Sequence, residues 1–144
     1  MAVVERVTSP DEVSLADVNT LILQIRRRPE ESLGTEEELA AVTRNPDTVF
    51  VAAKDGQKVV GMGLVFLAQK FGGRVGFVES IVVLDSYRGR GLGRKIMELL
   101  ISESKKASAK GLDLTSHPER VAANALYEKL GFEKRETNVY RLRF

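Results

Sequence analysis

The sequence predicts a mixed α/β fold of the α+β type, with a central mixed sheet of six to seven strands and about four flanking helices. Short runs of β-branched and aromatic residues alternate with segments that begin in helix-capping residues. An Asp-Gly turn joins two of these runs as an antiparallel hairpin. The fourth run, however, must reach a parallel fifth through a helix. The order is β-α-α-β-β-β-α-β-α-β, and 144 residues fit one domain over 1–144.

Helix starts are marked by a Ser or Thr followed three residues later by Glu, the spacing of a capping box. The three pairs are Ser9–Glu12, Thr35–Glu38 and Ser116–Glu119. They predict helices near 10–27, 35–44 and 117–130. Gly131 would end the last of these in a left-handed conformation. A fourth helix begins after a glycine-rich stretch, with its apolar residues on one face.

The predicted strands are 3–7, 48–54, 58–69, 74–84, 111–116 and 137–144. The turn at Asp55-Gly56 joins the second to the third. The last strand, TNVYRLRF, has an edge that could pair with another chain, so a homodimer is one expected assembly.

Composition narrows the function classes. A net charge of +2 does not by itself indicate a nucleic-acid partner, so anion binding must come from local clustering. Without cysteine the chain has no thiolate nucleophile, and the single histidine, His117, has no metal-ligand partner at useful spacing, so we expect no metal. No stretch of about 18 apolar residues predicts a membrane span, and we expect a cytoplasmic protein.

The stretch YRGRGLGR at 87–94 stands between an apolar strand and a helix. Unpaired N–H groups and the positive end of the helix dipole make such a junction an anion site. The glycines allow positive φ and close backbone approach, and the arginines add charge-assisted hydrogen bonds. These residues are Gly89, Gly91, Gly93, Arg88, Arg90 and Arg94. A pyrophosphate is the predicted guest.

Two common phosphate-binding motifs do not fit this stretch. A P-loop fails because Lys95 is not followed by Ser or Thr, and the dinucleotide fingerprint fails because the glycines recur at every second residue. A surface turn that only connects two elements and a basic RNA-binding loop both remain open.

Two motifs resemble those of the GCN5-related N-acetyltransferase (GNAT) superfamily. The first, similar to V-x-x-x-[YH]-[RQ]-G-x-G-[IL]-[GA], runs from Val83 through Tyr87 to Gly93. The second, from Ala125 to Phe132 at the end of the last helix, is similar to the family's A-x-x-[LF]-Y-x-x-x-G-F signature, in which Leu126-Tyr127 and Gly131-Phe132 take the [LF]-Y and G-F positions. Their order and separation match the family, and the resemblance is firm over residues 58–144.

The resemblance implies a GNAT fold in which strands four and five splay apart around acetyl-CoA. The pantetheine arm would pair with the backbone of Ile81, Val82 and Val83, and the pyrophosphate would bind at Arg88, Gly89, Arg90, Gly91, Leu92, Gly93 and Arg94. The implied reaction is direct transfer of acetyl to a primary amine of an unidentified acceptor. The alternative is a coenzyme-binding sensor domain that lacks turnover.

Glu79 is the candidate general base. It interrupts the apolar strand where the resemblance implies a catalytic carboxylate, acting directly or through water. Burial would raise its pKa toward a useful range. The alternative is an outward-facing charge on a strand that is polar on one side.

Tyr127 is the candidate acid and a coenzyme contact. The resemblance places its phenol where the family's tyrosine reaches the thioester sulfur, so that it can protonate the leaving thiolate. The alternative is a tyrosine that only packs in the core.

The sequence departs from the family pattern in two places. Asp85 stands where proline is frequent, and Arg120 stands where an asparagine commonly contacts the coenzyme. Asn124 could supply a similar amide. The acceptor pocket would be built by residues 20–35 and the loop from Phe132 to Val139. The run 26–28, three arginines, is explained by the dipole at the end of the first helix.

Overall fold

A computed structural model describes residues 1–28 and 31–144, which form one five-stranded sheet and four α-helices. The strands are β1 (Val3–Val7), β2 (Thr48–Asp55), β3 (Lys58–Lys70), β4 (Gly73–Val83) and β5 (Ala109–Asp113). The helices are α1 (Leu15–Ile25), α2 (Glu36–Arg44), α3 (Leu92–Lys106) and α4 (Val121–Lys129), with 3₁₀ turns at Pro10–Glu12 and Asp85–Tyr87. The elements follow the predicted order as far as α4.

The sheet is mixed, as predicted. Its strands lie in the order β1-β2-β3-β4-β5; the first three pairings are antiparallel and β4 pairs with β5 in parallel. The Asp-Gly turn joins β2 to β3, with Gly56 at φ +61.

Strand β2 is buried on both faces because helices cover both sides of the sheet. On one side Val49 and Val51 belong to the same core as Ile96 and Leu100 of α3. On the other side Phe50 belongs to the core that α1 and α2 complete, with side chains such as Leu21 and Leu39. Burial on both faces explains the unbroken apolar run in this strand.

The capping boxes at Ser9 and Thr35 are confirmed. Ser9, however, caps only the first 3₁₀ turn, since Val13 is extended and Ser14 forms a new N-cap for α1. The predicted helix over 10–27 is therefore shorter, at Leu15–Ile25.

The capping box predicted at Ser116 is wrong. The Ser116 hydroxyl oxygen is buried and has no hydrogen-bond partner among the described residues, and α4 begins only at Val121, with Arg120 at its N-cap. The imidazole Nδ1 of His117 accepts the Glu119 N–H instead, at 3.1 Å. A local turn has therefore replaced the first turn of the predicted helix. Its predicted end is confirmed, because Gly131 has φ +97.

The predicted strand 137–144 is also wrong, so the sheet has five strands instead of six or seven. Residues 133–144 form neither helix nor strand. A strand requires a partner edge as well as suitable residues, and these residues pair with no edge in the described chain.

Candidate active site

The site begins where β4 and β5 stop pairing. Their register runs from Arg74↔Ala109 to Phe77↔Asp113, and β4 continues to Val83 without a further partner on β5. A cavity of about 420 Å³ lies at this gap. Its walls come from α1, the segment after it, the second half of β4, the segment after β5, and α4. The splay predicted between strands four and five is therefore present.

A bulge shapes β4 at the cavity. Met62 pairs with Val82 and Leu64 with Glu79, so two residues of β4 lie opposite Gly63. Ser80, in the bulge, has φ +55, a left-handed conformation that is costly for a residue with a side chain. Residues 78–81 all line the cavity instead of alternating between the two faces of the sheet.

The glycine-rich loop presents unpaired amides. In the described chain, the backbone N–H groups from Gly89 to Arg94 donate no hydrogen bond, and α3 starts with Lys95 N–H bonded to Gly91 O at 3.1 Å. Gly89 and Gly91 have φ +77, as predicted. Gly93 lies instead in the first turn of α3 and has no positive φ, and its contact with the pyrophosphate stays a prediction. These amides and the helix dipole suit an anion.

The three loop arginines contact neighbours in this structure. Arg88 pairs with Asp85 (3.0 Å), Arg90 lies over the Tyr87 ring (4.5 Å to the centroid), and Arg94 pairs with Glu98 (2.7 Å). Both ion pairs are exposed, and such pairs contribute about 0–1 kcal/mol. A bound diphosphate could therefore displace them at little cost.

Two contacts that the sequence did not predict hold this loop. The Tyr87 hydroxyl donates to Asp55 Oδ2 at 2.6 Å, which lowers the pKa of Asp55 and raises that of Tyr87. The side-chain amide of Gln24 donates to Val83 O (2.8 Å), and its Oε1 accepts the Asp85 N–H (3.1 Å). The Val83 carbonyl thus already accepts one hydrogen bond, and the backbone contacts of pantetheine with Ile81, Val82 and Val83 stay predictions.

Glu79 and Tyr127 line the same cavity. Glu79 is exposed, so the burial expected around it is absent. Tyr127 is 6% exposed, and its ring packs edge-on against Phe132 with centroids 5.9 Å apart. Burial raises the pKa of Tyr127, although the nearby Arg120 lowers it in part. The phenol therefore keeps its proton at neutral pH.

Comparison with known proteins agrees with this geometry. The model of the acetyltransferase (GNAT) family matches residues 15–132. The chain belongs to this family. It is 36% identical over 93 residues to the "Probable glucosamine 6-phosphate N-acetyltransferase 2" of Oryza sativa subsp. japonica, which covers 60% of this chain and 54% of that protein.

A second GNAT relative is the L-2,4-diaminobutyric acid acetyltransferase of Shouchella clausii (strain KSM-K16), 34% identical over 84 residues, or 58% of this chain and 47% of the relative. The matches thus span about half the length of these two relatives. Among solved structures, a Trypanosoma brucei acetyltransferase superposes with a TM-score of 0.79 at 26% identity, covering 100% of both chains. The fold is therefore similar to that of this solved acetyltransferase, and the GNAT family model matches it over residues 15–132.

The structure shows where Asn124 and Arg120, the residues involved in one departure from the GNAT motif, are placed. The Asn124 side-chain amide donates to His117 O at 3.0 Å and so holds the loop before α4. Arg120, at the position of the usual asparagine, lines the cavity. The contact of Asn124 with the coenzyme stays a prediction.

Arg26 also lines the cavity, so the dipole explanation for the arginine run is incomplete. No local pattern distinguished Arg26 from its two neighbours, and only the tertiary position of α1 does so. Of the predicted acceptor region 20–35, the residues that line the cavity are Ile22, Ile25, Arg26, Glu31 and Ser32, whereas Pro29 and Glu30 lie outside the described residues. The loop 132–139, also predicted to build the acceptor pocket, contributes no residue to the lining of this cavity.

Over residues 1–28 and 31–144, no group of three or more His, Asp or Glu side chains could hold a metal ion. None of the helices described is both long and apolar enough to span a bilayer.

Proposed function

We propose that this chain is an N-acetyltransferase that uses acetyl-CoA as co-substrate and moves the acetyl group directly to a primary amine. The observation that carries the proposal is that Glu79 and Tyr127 line one cavity at the β4–β5 gap. Membership of the GNAT family supports it.

The free amides of the glycine-rich loop fit the diphosphate of coenzyme A, because they present several donors and the helix dipole to one anion. The unpaired part of β4 fits the pantetheine arm, since a strand edge offers amide donors and acceptors to an extended chain. The thioester would then lie in the cavity.

Glu79 takes a proton from the acceptor's ammonium group, directly or through a water molecule. The freed nitrogen lone pair forms the new N–C bond at the thioester carbonyl carbon, and the C–S bond breaks. The nitrogen then loses its second proton to solvent, which leaves a neutral amide. Tyr127 gives its proton to the departing sulfur and regains one from solvent. Its raised pKa keeps that proton available at neutral pH.

The acceptor is an amine. The names of the two relatives compared above contain glucosamine 6-phosphate and L-2,4-diaminobutyric acid. Amino sugars and amino acids are therefore the first acceptors to test. We further propose that the chain acts in the cytoplasm as one domain over 1–144.

Two measurements test the proposal. Acetyl-CoA at one hundred times its Kd should raise the free energy of unfolding by about 2.7 kcal/mol. A panel of amines should then release free thiol, with a matching acetylated product seen by mass spectrometry. Stabilisation without thiol release from any amine would favour the sensor domain. Binding of RNA without stabilisation by acetyl-CoA would reject both forms of the proposal.

A further inference from the structure

The cavity has a charge pattern that the proposed chemistry does not use in full. Its charged side chains are Arg26, Glu31, Glu79 and Arg120. Glu79 has a role as base, and both glutamates favour a cationic amine nearby. The two arginines have no role in proton transfer, and they come from different elements, the end of α1 and the start of α4.

The side chain of Arg120 has no hydrogen-bonding or ionic partner in the described part of the chain. It is exposed and lines the cavity, and no described carboxylate lies within ion-pair distance of it. A guanidinium group offers five donors in a planar fork that matches a carboxylate or a phosphate. A concave site with such a group is suited to an anion.

Arg26 is half-buried, and its Nη1 donates to Glu31 O at 3.1 Å. This contact holds the guanidinium group beside the cavity, so that less side-chain freedom is lost when it binds a ligand. The two arginines therefore differ in kind: Arg26 is held in place by the backbone, and Arg120 is exposed.

We propose that the acceptor carries an anionic group, a carboxylate or a phosphate, which Arg26 and Arg120 bind while its amine faces Glu79 and Tyr127. This inference rests on the proposed function. A competing role for Arg120 is contact with the coenzyme, because it replaces an asparagine that has this role in the family resemblance.

Matched acceptors test the charge requirement. Glucosamine 6-phosphate is compared with glucosamine, and 2,4-diaminobutyrate with 1,3-diaminopropane, which lacks only its carboxylate. In each pair one acceptor carries an anionic group and the other, called the neutral acceptor below, has protonated amines but no anionic group. We expect kcat/KM to be at least ten-fold higher for one anionic acceptor than for its neutral counterpart. The pair that shows the difference identifies the anion as phosphate or carboxylate.

Variants test the residues. Arg120→Gln and Arg26→Gln should each lower kcat/KM for the anionic acceptor about ten-fold or more, mainly through KM, and leave the neutral acceptor within about two-fold. Arg120→Lys should retain part of the effect, because the charge remains and the bidentate fork is lost. Arg27→Gln is the matched control, since Arg27 is adjacent to Arg26 and does not line the cavity.

The outcomes separate this inference from the proposed function. Equal rates for anionic and neutral amines, all insensitive to Arg120→Gln, would overturn the inference and leave the acetyltransferase intact. A rise in KM for acetyl-CoA with both classes of acceptor would assign Arg120 to the coenzyme and also overturn it. No thiol release with any amine would instead reject the proposed function.

Discussion

The two edges of β4 differ sharply. Toward β3 the strand is paired from Val83 to Gly73, interrupted only by the bulge at Ser80. Toward β5 it is paired only from Arg74 to Phe77. Side chains at the edge toward β3, here called the closed edge, pack against α3. The edge toward β5, here called the open edge, borders the cavity.

This difference separates stability from function along a single strand. Changes at the closed edge should alter the free energy of unfolding, because side chains there have no room to move. Changes at the open edge should alter binding or turnover while the fold persists. Single substitutions can test this separation, beginning with the one for which we expect the largest effect.

Replacing Tyr127 by Phe removes the proposed acid at the open edge. We expect turnover to fall about 100-fold or more, since a positioned acid or base contributes about 10²–10⁴-fold. The Kd for acetyl-CoA should change little, because the ring and its packing on Phe132 remain. Steady-state thiol release and calorimetry measure the two quantities, with the exposed Tyr140→Phe as control. An unchanged turnover would remove Tyr127 from the mechanism.

Replacing Gly63 by Ala crowds the closed edge. An added Cβ would lie 2.5 Å from Ile81 Cδ1 and 2.9 Å from atoms of Ile96 and Leu100. Overpacking of this kind costs about 1–3 kcal/mol, which denaturant unfolding should detect. Gly111→Ala on β5 is the matched control, because its added Cβ meets nothing within 4 Å. Equal losses in the two variants would contradict the contrast between the edges.

The closed edge was largely predictable from sequence, and the open one was not. Apolar runs such as 48–54 and the Asp55-Gly56 turn are local signals, so β2 and β3 were predicted nearly to their ends. The glycine-rich loop is also marked by a local signal, the alternating glycines, and two of them, Gly89 and Gly91, have a positive φ. Partner choice is not local, which is why the pattern of TNVYRLRF predicted a strand that has no partner in the described chain.

The side chains at the cavity were also predictable only where a local motif marks them. Tyr127 was found through a motif, whereas Gln24 and Arg26 depend on where α1 packs. Arg120 lines the cavity as the N-cap of a helix that begins at Val121, four residues later than the start predicted after Ser116. No spacing in the sequence predicts that the turn at His117–Glu119 replaces the first turn of the helix.

The glycine-rich loop offers a test in which the sign of the effect differs within three residues. Gly91 has φ +77, so Gly91→Ala should lower the free energy of unfolding by about 1–2 kcal/mol. Gly93 is helical and an added Cβ would make ordinary contact with Leu126 at 3.7 Å, so Gly93→Ala should raise it by up to about 1 kcal/mol. Thermal unfolding without coenzyme measures both, and a loss in both variants would contradict the helical assignment of Gly93.

The smallest effect is expected at the far end of α3, where Glu103 accepts a hydrogen bond from Arg6 of β1 at 2.8 Å. This contact, together with Lys106, lowers the pKa of Glu103. A lowered pKa in the folded state means that the stabilisation is complete above the usual glutamate range and is lost as pH falls below about 5. Glu103→Gln should therefore lower the free energy of unfolding by about 1 kcal/mol at pH 7 and by progressively less in acid.

Glu98→Gln is the control, because Glu98 is an exposed i,i+4 partner of Arg94. It should lower the free energy of unfolding by only about 0.3–0.5 kcal/mol. If both variants lost the same free energy of unfolding at pH 7, with the same dependence on pH, the contact between Glu103 and Arg6 would contribute no more to stability than an exposed ion pair.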